Sequence, residues 1–196
     1  MGKIFYLMGK SSSGKDTIYQ RLLADKELNL KNAVLYTTRP IREGEIDGVT
    51  YHFTEEKELL RLQKENKVIE VRAYDTIKGI WYYFTVDDGQ FSEEQEDILM
   101  IGTLESYGKM KDHLKDRVVP IFITLDDGER LIRAIKREQQ QKEPVYAEVC
   151  RRFLADEQDF SKENMEKNQI TEMFENHNLE DCVNCLKQFI QNNSQQ

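Results

Sequence analysis

The segment Lys3–Asp16, KIFYLMGKSSSGKD, contains the pattern that best indicates the fold of this chain. Its first six residues, Lys3–Met8, form a short run rich in Ile, Phe and Tyr that is typical of a buried β-strand. Gly9–Lys15 then match the pattern G-x4-G-K, and apolar residues at helical spacing begin after Asp16. A strand, a glycine-bounded loop and a helix in this order predict a P-loop, which binds phosphate groups.

The P-loop pattern has a specific physical basis. Consecutive backbone N–H groups curl around phosphate oxygens, and glycines allow the backbone angles that this requires. The positive end of the following helix faces the anion, and Lys15 is expected to reach the β- and γ-phosphates. The expected phosphate-binding residues are Gly9, Ser11, Ser12, Ser13, Gly14, Lys15, Asp16 and Thr17.

The residue after the P-loop lysine departs from the usual pattern. This position commonly carries Ser or Thr, whose hydroxyl binds Mg²⁺, but here Asp16 follows Lys15 and precedes Thr17. A carboxylate is a hard oxygen ligand that could bind Mg²⁺ directly or through water. Alternatively, Asp16 only stabilises the helix N-terminus, where a negative charge is favourable.

Composition places the chain among soluble globular proteins. Its 196 residues suggest one domain, and 39% hydrophobic and 33% charged residues are typical of neither a disordered nor a fibrous chain. The net charge of −8 argues against non-specific binding to nucleic acid or to an anionic membrane. The longest apolar stretches, Ile98–Ile101 and Val118–Leu125, are far shorter than the ~20 residues that span a bilayer.

The three cysteines, Cys150, Cys182 and Cys185, do not form the pattern of a disulfide framework. They therefore indicate a reducing, cytoplasmic compartment. Cys182 and Cys185 form a CxxC pair, but a helical pattern surrounds them and no second pair follows. Two half-buried helix residues are favoured here over a metal or redox site.

The rest of the sequence alternates short apolar runs with helical patterns. Strands are predicted at Lys3–Met8, Ala33–Thr37, Val49–Phe53, Val68–Tyr74, Ile80–Val86, Ile98–Ile101, Val118–Leu125 and Ile170–Phe174, with a turn near Lys78–Gly79. Helices are predicted at Asp16–Glu27, Glu55–Asn66, Thr103–Lys115, Asp127–Lys142, Val145–Phe160 and Leu179–Ile190, followed by a frayed tail. This alternation predicts an α/β fold, a parallel sheet flanked by helices, with a strand-rich insertion near residues 40–86.

The loop Thr37–Phe53, TTRPIREGEIDGVTYHF, closely resembles the guanylate kinase signature TTRxxRxGExxGxxYHF. With the P-loop, it is similar to the guanylate kinase family of P-loop nucleoside monophosphate kinases. The resemblance implies a P-loop NTPase fold with a core of residues 1–36, 97–130 and 165–196, an NMP-binding sub-domain of 37–90 and a helical lid at about 133–152. It also implies phosphoryl transfer to GMP or dGMP, with ATP and Mg²⁺ as cofactors and the P-loop residues binding ATP.

The resemblance also implies which residues bind the acceptor. Arg39, Arg42 and Tyr51 would bind its phosphate, which suits a dianion that two guanidinium groups and a phenol can orient. Glu70 would accept hydrogen bonds from guanine. On the next strand, Tyr83 is expected to contact the phosphate and Thr85 the base. Because Trp81, Tyr82 and Tyr83 are consecutive aromatic residues, this register is open by one residue. A solvated basic loop and a packed aromatic core are the structural alternatives.

Four arginines resemble those of the family's lid, which stabilise charge on the transferring phosphoryl group. Arg133 and Arg137 lie one helical turn apart, and Arg151 and Arg152 follow a Gln-rich tract. Solvated helix arginines are the alternative. The residues expected to be catalytic are Lys15, Arg39, Arg42, Arg137 and Arg151, and those added to the ATP site are Arg133 and Asn176.

Several positions depart from the family pattern. Met100 and Gly102 stand where the family has Asp-x-Asp, with one aspartate near the base and one near metal and phosphates. Leu35 replaces a serine that often contacts guanine. Asp16 could restore a carboxylate on the metal side, and so could Glu105 if its helix faces the site.

Three functions stay open at this point. The first is phosphorylation of GMP or dGMP. The second is the same chemistry on another acceptor, because Asp16 and the Gly102-Thr103 pair also resemble ribose 1,5-bisphosphate phosphokinases, which share this fold. The third is a catalytically silent guanylate kinase-like module. The first predicts a cytoplasmic monomer or homodimer that binds small nucleotides and neither nucleic acid nor membrane.

Overall fold

The computed structural model describes residues 2–76, 79–92 and 96–194. Its strands are β1 (Ile4–Gly9), β2 (Lys31–Asn32), β3 (Tyr36–Thr37), β4 (His52–Phe53), β5 (Val68–Thr76), β6 (Gly79–Val86), β7 (Ile98–Ile101), β8 (Val118–Thr124) and β9 (Met173–Glu175). Its helices are α1 (Lys15–Leu23), α2 (Glu56–Lys64), α3 (Leu104–Leu114), α4 (Asp127–Gln139), α5 (Tyr146–Asp159), α6 (Lys162–Lys167) and α7 (Leu179–Ser194).

Five parallel strands form the central sheet in the order β2-β7-β1-β8-β9. Strand β1 lies in the middle and is buried along its whole length. Its even-numbered residues pack in a cluster with α3 and α6, and Phe5 and Leu7 pack against α1 and α7 on the other face. Burial on both faces explains why β1 is a continuous apolar run rather than an alternating one.

A second sheet holds four strands in the order β4-β3-β6-β5. Helix α2 covers one of its faces, where Leu59 and Leu62 form a small core with Phe84 and Val86 of β6. Side chains alternate between the two faces of a strand. The β6 residues next to Phe84 and Val86, and their partners on β5, therefore lie on the opposite face. We call that opposite side of the small sheet the open face.

The α/β fold is confirmed, but the predicted strand Ala33–Thr37 is only partly right, because Tyr36–Thr37 form β3 and residues 33–35 form no strand. Lys31–Asn32 pair with β7 in the central sheet, whereas Tyr36–Thr37 pair with β4 and β6 in the small one. Ala33 is buried between them and Leu35 packs against the same cluster. The chain therefore changes sheets within what looked like one apolar run.

The predicted strand Val49–Phe53 is also shorter than expected. The backbone N–H groups of Val49 and Thr50 donate to the carbonyl of Ile46, which makes this stretch a turn and leaves only His52–Phe53 in β4.

Differences near the C-terminus are smaller. Helix α6, whose N-cap is Ser161, was missed because six residues are too few to show a helical period. The last strand begins at Met173 rather than Ile170, and α7 continues to Ser194 instead of fraying after Ile190. The sequence predicted a turn near Lys78–Gly79. Lys78 lies outside the described residues, and Gly79 of β6 pairs with Thr76 of β5.

The CxxC pair lies in α7, as predicted for helix residues. Cys182 is buried and Cys185 is exposed, and burial raises the pKa of the Cys182 thiol to about 11, so it stays protonated. Within the described ranges, no group of three or more His, Cys, Asp or Glu residues could hold a metal ion. None of the helices in those ranges is long and apolar enough to cross a membrane.

Candidate active site

The P-loop lies at the carboxyl end of β1, and packing restricts both of its motif glycines. A Cβ on Gly9 would lie 2.6 Å from the carbonyl oxygen of Ile123 on the neighbouring strand. Gly14 has φ of +90°, and a Cβ there would lie 2.2 Å from Nδ2 of Asn176. Both positions therefore require glycine for reasons of space, and Gly14 also for its backbone angle.

Two of the three serines between the glycines, Ser12 and Ser13, keep unused hydrogen-bonding capacity. Ser12 has a positive φ of 63°, and Ser13 is fully buried. The hydroxyl oxygens of both are buried with no hydrogen-bond partner among the described residues. Because such groups are costly to leave unsatisfied, the loop is suited to a polar ligand.

Lys15 and Asp16 begin helix α1 with very different exposure. The Lys15 side chain is 23% exposed and that of Asp16 is 80% exposed. Their charged atoms are 3.8 Å apart, which is too long for a hydrogen bond. Lys15 thus keeps its ammonium donors for a ligand in the loop, and Thr17, also exposed, follows on the same turn.

Asn176, expected beside the ATP base, is buried behind the P-loop. Its Nδ2 donates to the carbonyl oxygen of Ser13 at 2.7 Å, and its backbone N–H donates to the carbonyl of Thr124 at 2.8 Å. The side chain therefore connects the ends of β8 and β9 to the loop. This geometry gives Asn176 a positioning role toward the loop backbone.

We expect Asn176→Ala to lower the free energy of unfolding by about 1–3 kcal/mol, because the buried Ser13 carbonyl loses its partner. The apparent affinity for ATP should fall with it. Urea unfolding and an ATP titration measure the two effects. Asn184→Ala, an exposed asparagine on α7, is the matched control and should change stability by less than about 0.5 kcal/mol. Unchanged stability with weaker ATP binding would instead favour direct contact with ATP.

Arg130, which sequence analysis missed, connects the α4–α5 hairpin to the P-loop. It is 1% exposed and donates to the carbonyl of Ser11 at 3.0 Å and to Asp156 at 3.3 Å. Asp156 in turn accepts a hydrogen bond from the Ser11 backbone N–H at 2.8 Å. In the sequence Arg130 looks like any other helix arginine, so only its burial identifies it.

The four arginines expected in the lid occupy different places. Arg137 and Arg152 line a cavity of about 840 Å³ between α4, α5 and the P-loop. Arg133 is adjacent to the loop, with Nη1 3.9 Å from where a Cβ on Gly14 would lie. Arg151, expected to be catalytic, is 66% exposed and bonded to Glu148, and it does not line that cavity.

The open face gathers the residues expected to bind the acceptor. Glu70 pairs with Thr85 and Arg72 pairs with Tyr83 across β5 and β6. Tyr82 packs against the α2 side of the sheet, so Tyr83 is the tyrosine that lies on the open face. Of the two candidate tyrosines, Tyr83 therefore shares a face with Glu70 and Thr85, and its role at the site stays a prediction.

Arg39 is buried beneath the open face, and most of its guanidinium N–H groups already donate hydrogen bonds. Its Nη atoms donate to both oxygens of Glu45 at 2.7 and 2.5 Å, and its Nε donates to the Tyr83 hydroxyl at 3.1 Å. The guanidinium also lies 5.1 Å from the ring centre of Tyr51. Arg42, by contrast, is exposed, and its backbone N–H donates to Glu45.

Acid should weaken this loop through Glu45. Hydrogen bonds from Arg39 lower the pKa of the Glu45 carboxyl from 4.5 to about 2. A lowered pKa in the folded state stabilises the fold above pH 4.5, and that contribution is lost as pH falls toward 2. We expect the stability difference between the protein and Glu45→Gln to be largest above pH 5 and to shrink over this window in urea unfolding. A difference that does not change with pH would contradict this role.

Glu70 is the most enclosed ionisable side chain of the open face, with no exposed surface. Its Oε1 accepts from the Thr85 hydroxyl at 2.7 Å and from Nη2 of Arg72 at 3.3 Å. Its Oε2 accepts from Nε of Arg72 at 3.1 Å. The carboxylate is therefore oriented by two neighbours before any ligand binds.

At the positions that depart from the family pattern, the structure shows core packing, and at Glu105 it shows a surface ion pair. Met100 is buried in the core, and a Cβ on Gly102 would lie 2.1 Å from the Tyr6 hydroxyl. Leu35 packs against the same core cluster. Glu105, considered as a substitute carboxylate, is 69% exposed and paired with Lys109 at 2.7 Å.

The fold and the loop together define a P-loop NTPase with a second, strand-rich lobe. The guanylate kinase family profile matches residues 1–193. The chain is 33% identical to the guanylate kinase of Mycoplasma mobile over 199 aligned positions, covering 96% of this chain and 94% of that protein. The chain therefore belongs to the guanylate kinase family.

Two further similarities agree with this assignment. The guanylate kinase of Caldanaerobacter subterraneus subsp. tengcongensis is 31% identical over 153 residues, which are 78% of this chain and 70% of that protein. The crystal structure of guanylate kinase from Anaplasma phagocytophilum shares the fold with a TM-score of 0.69 at 19% identity, covering 100% of this chain and 87% of that one.

Proposed function

We propose that this protein transfers the γ-phosphoryl group of ATP to GMP or dGMP, giving ADP and the nucleoside diphosphate. The observation that carries the proposal is the presence, in one molecule, of a P-loop whose Lys15 has only a long, 3.8 Å contact with Asp16 and of a small sheet with Arg39, Tyr83 and Glu70 on one side. Family membership supports the same reaction, and it favours GMP over ribose 1,5-bisphosphate and over a silent module.

The acceptor phosphate would bind beside Arg39. The Tyr83 hydroxyl accepts from Arg39 and so keeps its own proton to donate to a phosphate oxygen. Tyr51 lies beside both residues, and exposed Arg42 could bend over the phosphate from the loop. Fixing the acceptor oxygen in line with the γ-phosphorus is the main contribution that such a site makes to the rate.

The ATP phosphates would bind in the P-loop. Backbone N–H groups, the two serine hydroxyls and the Lys15 ammonium supply the donors. Asp16 is a single exposed carboxylate, which fits Mg²⁺ that is shared with phosphates rather than enclosed by protein ligands. When bound, Mg²⁺ would neutralise charge on the phosphate oxygens.

The α4–α5 hairpin would act as the lid over the transferred group. Arg137 and Arg152 already line the cavity beside the P-loop and could stabilise the charge that develops in the transition state. Closure of the hairpin toward the open face would exclude water. Both Arg151 and Arg152 are bonded to Glu148. We assign this role to Arg152 because it lines the cavity beside the P-loop and Arg151 does not.

An ADP-release assay tests the proposal. ATP and Mg²⁺ are offered with GMP, dGMP, AMP, UMP and ribose 1,5-bisphosphate in parallel. We expect turnover with GMP and dGMP; turnover with only the sugar bisphosphate would overturn the proposal. ATP binding without any turnover would favour the silent module.

We further propose that the protein is a cytoplasmic monomer or homodimer that binds neither nucleic acid nor membrane. The net charge of −8 supports the absence of such binding.

A further inference from the structure

Ser11 differs from the other serines of the P-loop because the α4–α5 hairpin binds all of its polar groups. Its backbone N–H donates to Oδ2 of Asp156 at 2.8 Å, and its hydroxyl donates to Oδ1 of the same carboxylate at 3.3 Å. Its carbonyl accepts from Nη1 of Arg130 at 3.0 Å. The hydroxyls of Ser12 and Ser13, by contrast, have no hydrogen-bond partner among the described residues. A carboxylate of α5 therefore binds a donor that the P-loop pattern assigns to phosphate.

Asp156 presents to the loop the same chemistry as a phosphate group. Carboxylates and phosphates both bind backbone N–H groups through anionic oxygens, and such charge-assisted hydrogen bonds are stronger than neutral ones. The Asp156 side chain is 14% exposed, so the contact is largely enclosed. Because two anions beside one donor repel each other, the Ser11 N–H binds either Asp156 or a phosphate oxygen.

Arg130 does not depend on Asp156 for neutralisation. Its Nη2 donates to Asp127 at 2.7 Å and to Glu157 at 3.1 Å. Lys10 donates to the same two carboxylates, at 3.5 and 2.5 Å. With Asp156, these two cations face three carboxylates, so one negative charge is in excess beside the loop. Asp156 can therefore leave Ser11 without producing an unpaired buried cation.

Asp156 also has space into which it can move. Its side chain borders the cavity of about 840 Å³ between α4, α5 and the P-loop, which Ser11 and Ser12 also line. Movement into this cavity would release the Ser11 N–H, while Arg130 could keep its bond to the Ser11 carbonyl. Arg130 would then act as the fixed point of the hairpin.

We propose that Asp156 is an internal substitute for phosphate: it binds the Ser11 N–H and is displaced when ATP binds, which couples nucleotide binding to the position of the α4–α5 hairpin. The inference rests on the proposed function, because it takes ATP as the ligand of the loop. The contact lowers the apparent affinity for ATP, since only molecules in which Asp156 has left Ser11 present the full set of donors.

The first test replaces the Asp156 carboxylate with a neutral side chain of the same shape. Asp156→Asn keeps an oxygen that can accept from Ser11 but removes the charge that repels phosphate. We expect it to bind ATP with Mg²⁺ about 5- to 10-fold more tightly in calorimetric titration without an acceptor. KM for GMP should change by less than about 2-fold. A side chain that only positioned the loop would give the opposite sign, weaker ATP binding.

The matched control is Glu157→Gln, which removes the same charge from the next residue of α5. Glu157 accepts from the side chains of Lys10 and Arg130 rather than from the loop backbone. Its removal should therefore tighten ATP binding by about 2-fold or less. Comparison of the two variants separates the contact with Ser11 from the general effect of one negative charge beside the loop.

The second test measures the position of the hairpin through cysteines of the natural sequence. Cys150 of α5 and Cys185 of α7 are exposed, whereas Cys182 is buried. Spin labels on the two exposed cysteines report the distance between the hairpin and the core helix in the full chain. We expect ATP with Mg²⁺ to shift this distance distribution in the unsubstituted protein. Asp156→Asn without ATP should already populate part of the shifted distribution. The measurement on the unsubstituted protein keeps the test valid if the variant does not fold.

Three results would overturn the inference. The first is unchanged or weaker ATP binding by Asp156→Asn, which would make Asp156 a positioning residue of the loop. The second is an equal gain in Glu157→Gln, which would mean that net charge beside the loop sets the affinity. The third is a distance distribution that saturating ATP leaves unchanged in the unsubstituted protein. If all the expected shifts occur but GMP is not phosphorylated, the proposed function is refuted and the inference stands. A protein that does not bind ATP would refute both.

Discussion

Replacing Lys15 with methionine is expected to lower kcat for GMP phosphorylation by about 10³-fold, the largest effect of any substitution considered for this protein. The ammonium is partly enclosed at the start of α1, and its 3.8 Å ion pair with Asp16 is too long for a hydrogen bond, so we expect its charge to act on the transferring phosphoryl group. Steady-state kinetics with saturating ATP and GMP measure the loss. GMP affinity should stay within about 2-fold, since Lys15 lies on the opposite side of the transfer from the acceptor.

Lys10 provides a close comparison within the same loop. Its Nζ is 2.5 Å from Glu157 and 3.5 Å from Asp127, so its charge is already neutralised. Lys10→Met should therefore lower kcat by no more than about 10-fold, through a looser α4–α5 hairpin. Equal losses in the two variants would show that loop structure, and not the Lys15 charge, accounts for the effect.

Arg39→Met is expected to raise KM for GMP by about 100-fold or more. The substitution removes the guanidinium that we propose binds the acceptor phosphate, and it leaves the Glu45 carboxylate uncompensated beside that proposed site. Repulsion between the two anions adds to the loss. Competition titrations with GMP, together with urea unfolding, separate weaker binding from a destabilised loop.

The double variant Arg39→Met with Glu45→Gln tests this mechanism directly. Removing the carboxylate charge removes the repulsion, so the double variant should bind GMP more tightly than Arg39→Met alone. Arg42→Met is the comparison at an exposed position and should raise KM by about 10-fold or less. A double variant no better than Arg39→Met would mean that lost donors account for the whole effect.

The features that could be predicted from sequence are those with a strong local signal. Helix α2 and strands β5 and β6 lie close to their predicted bounds, because Leu59 and Leu62 of α2 recur at helical spacing and pack with Phe84 and Val86 of β6, which are two residues apart on a strand. The P-loop is identified by its glycines, and the structure explains both by close packing.

Long-range packing accounts for what could not be predicted. Arg130 resembles an ordinary surface residue in the sequence, and Asn176 was expected beside the ATP base. Both are buried and bind the P-loop backbone from distant elements. Arg151 and Arg152 are adjacent and chemically identical, so only the phase of α5 decides which one lines the cavity. Glu70 and Arg72 lie two residues apart on one strand, but their sequence spacing does not reveal that the Glu70 side chain is fully buried.

The route of the chain between the two sheets has a consequence for folding order. Lys31 of β2 pairs with Ile98 of β7, so this contact closes a loop that contains the whole small sheet. Closing a long flexible loop costs conformational entropy, whereas the β5–β6 pairing joins residues close in sequence. Early formation of the small sheet would shorten the effective loop and speed the docking of β2. The lobe that we propose binds the acceptor would then also assist folding at the edge of the central sheet.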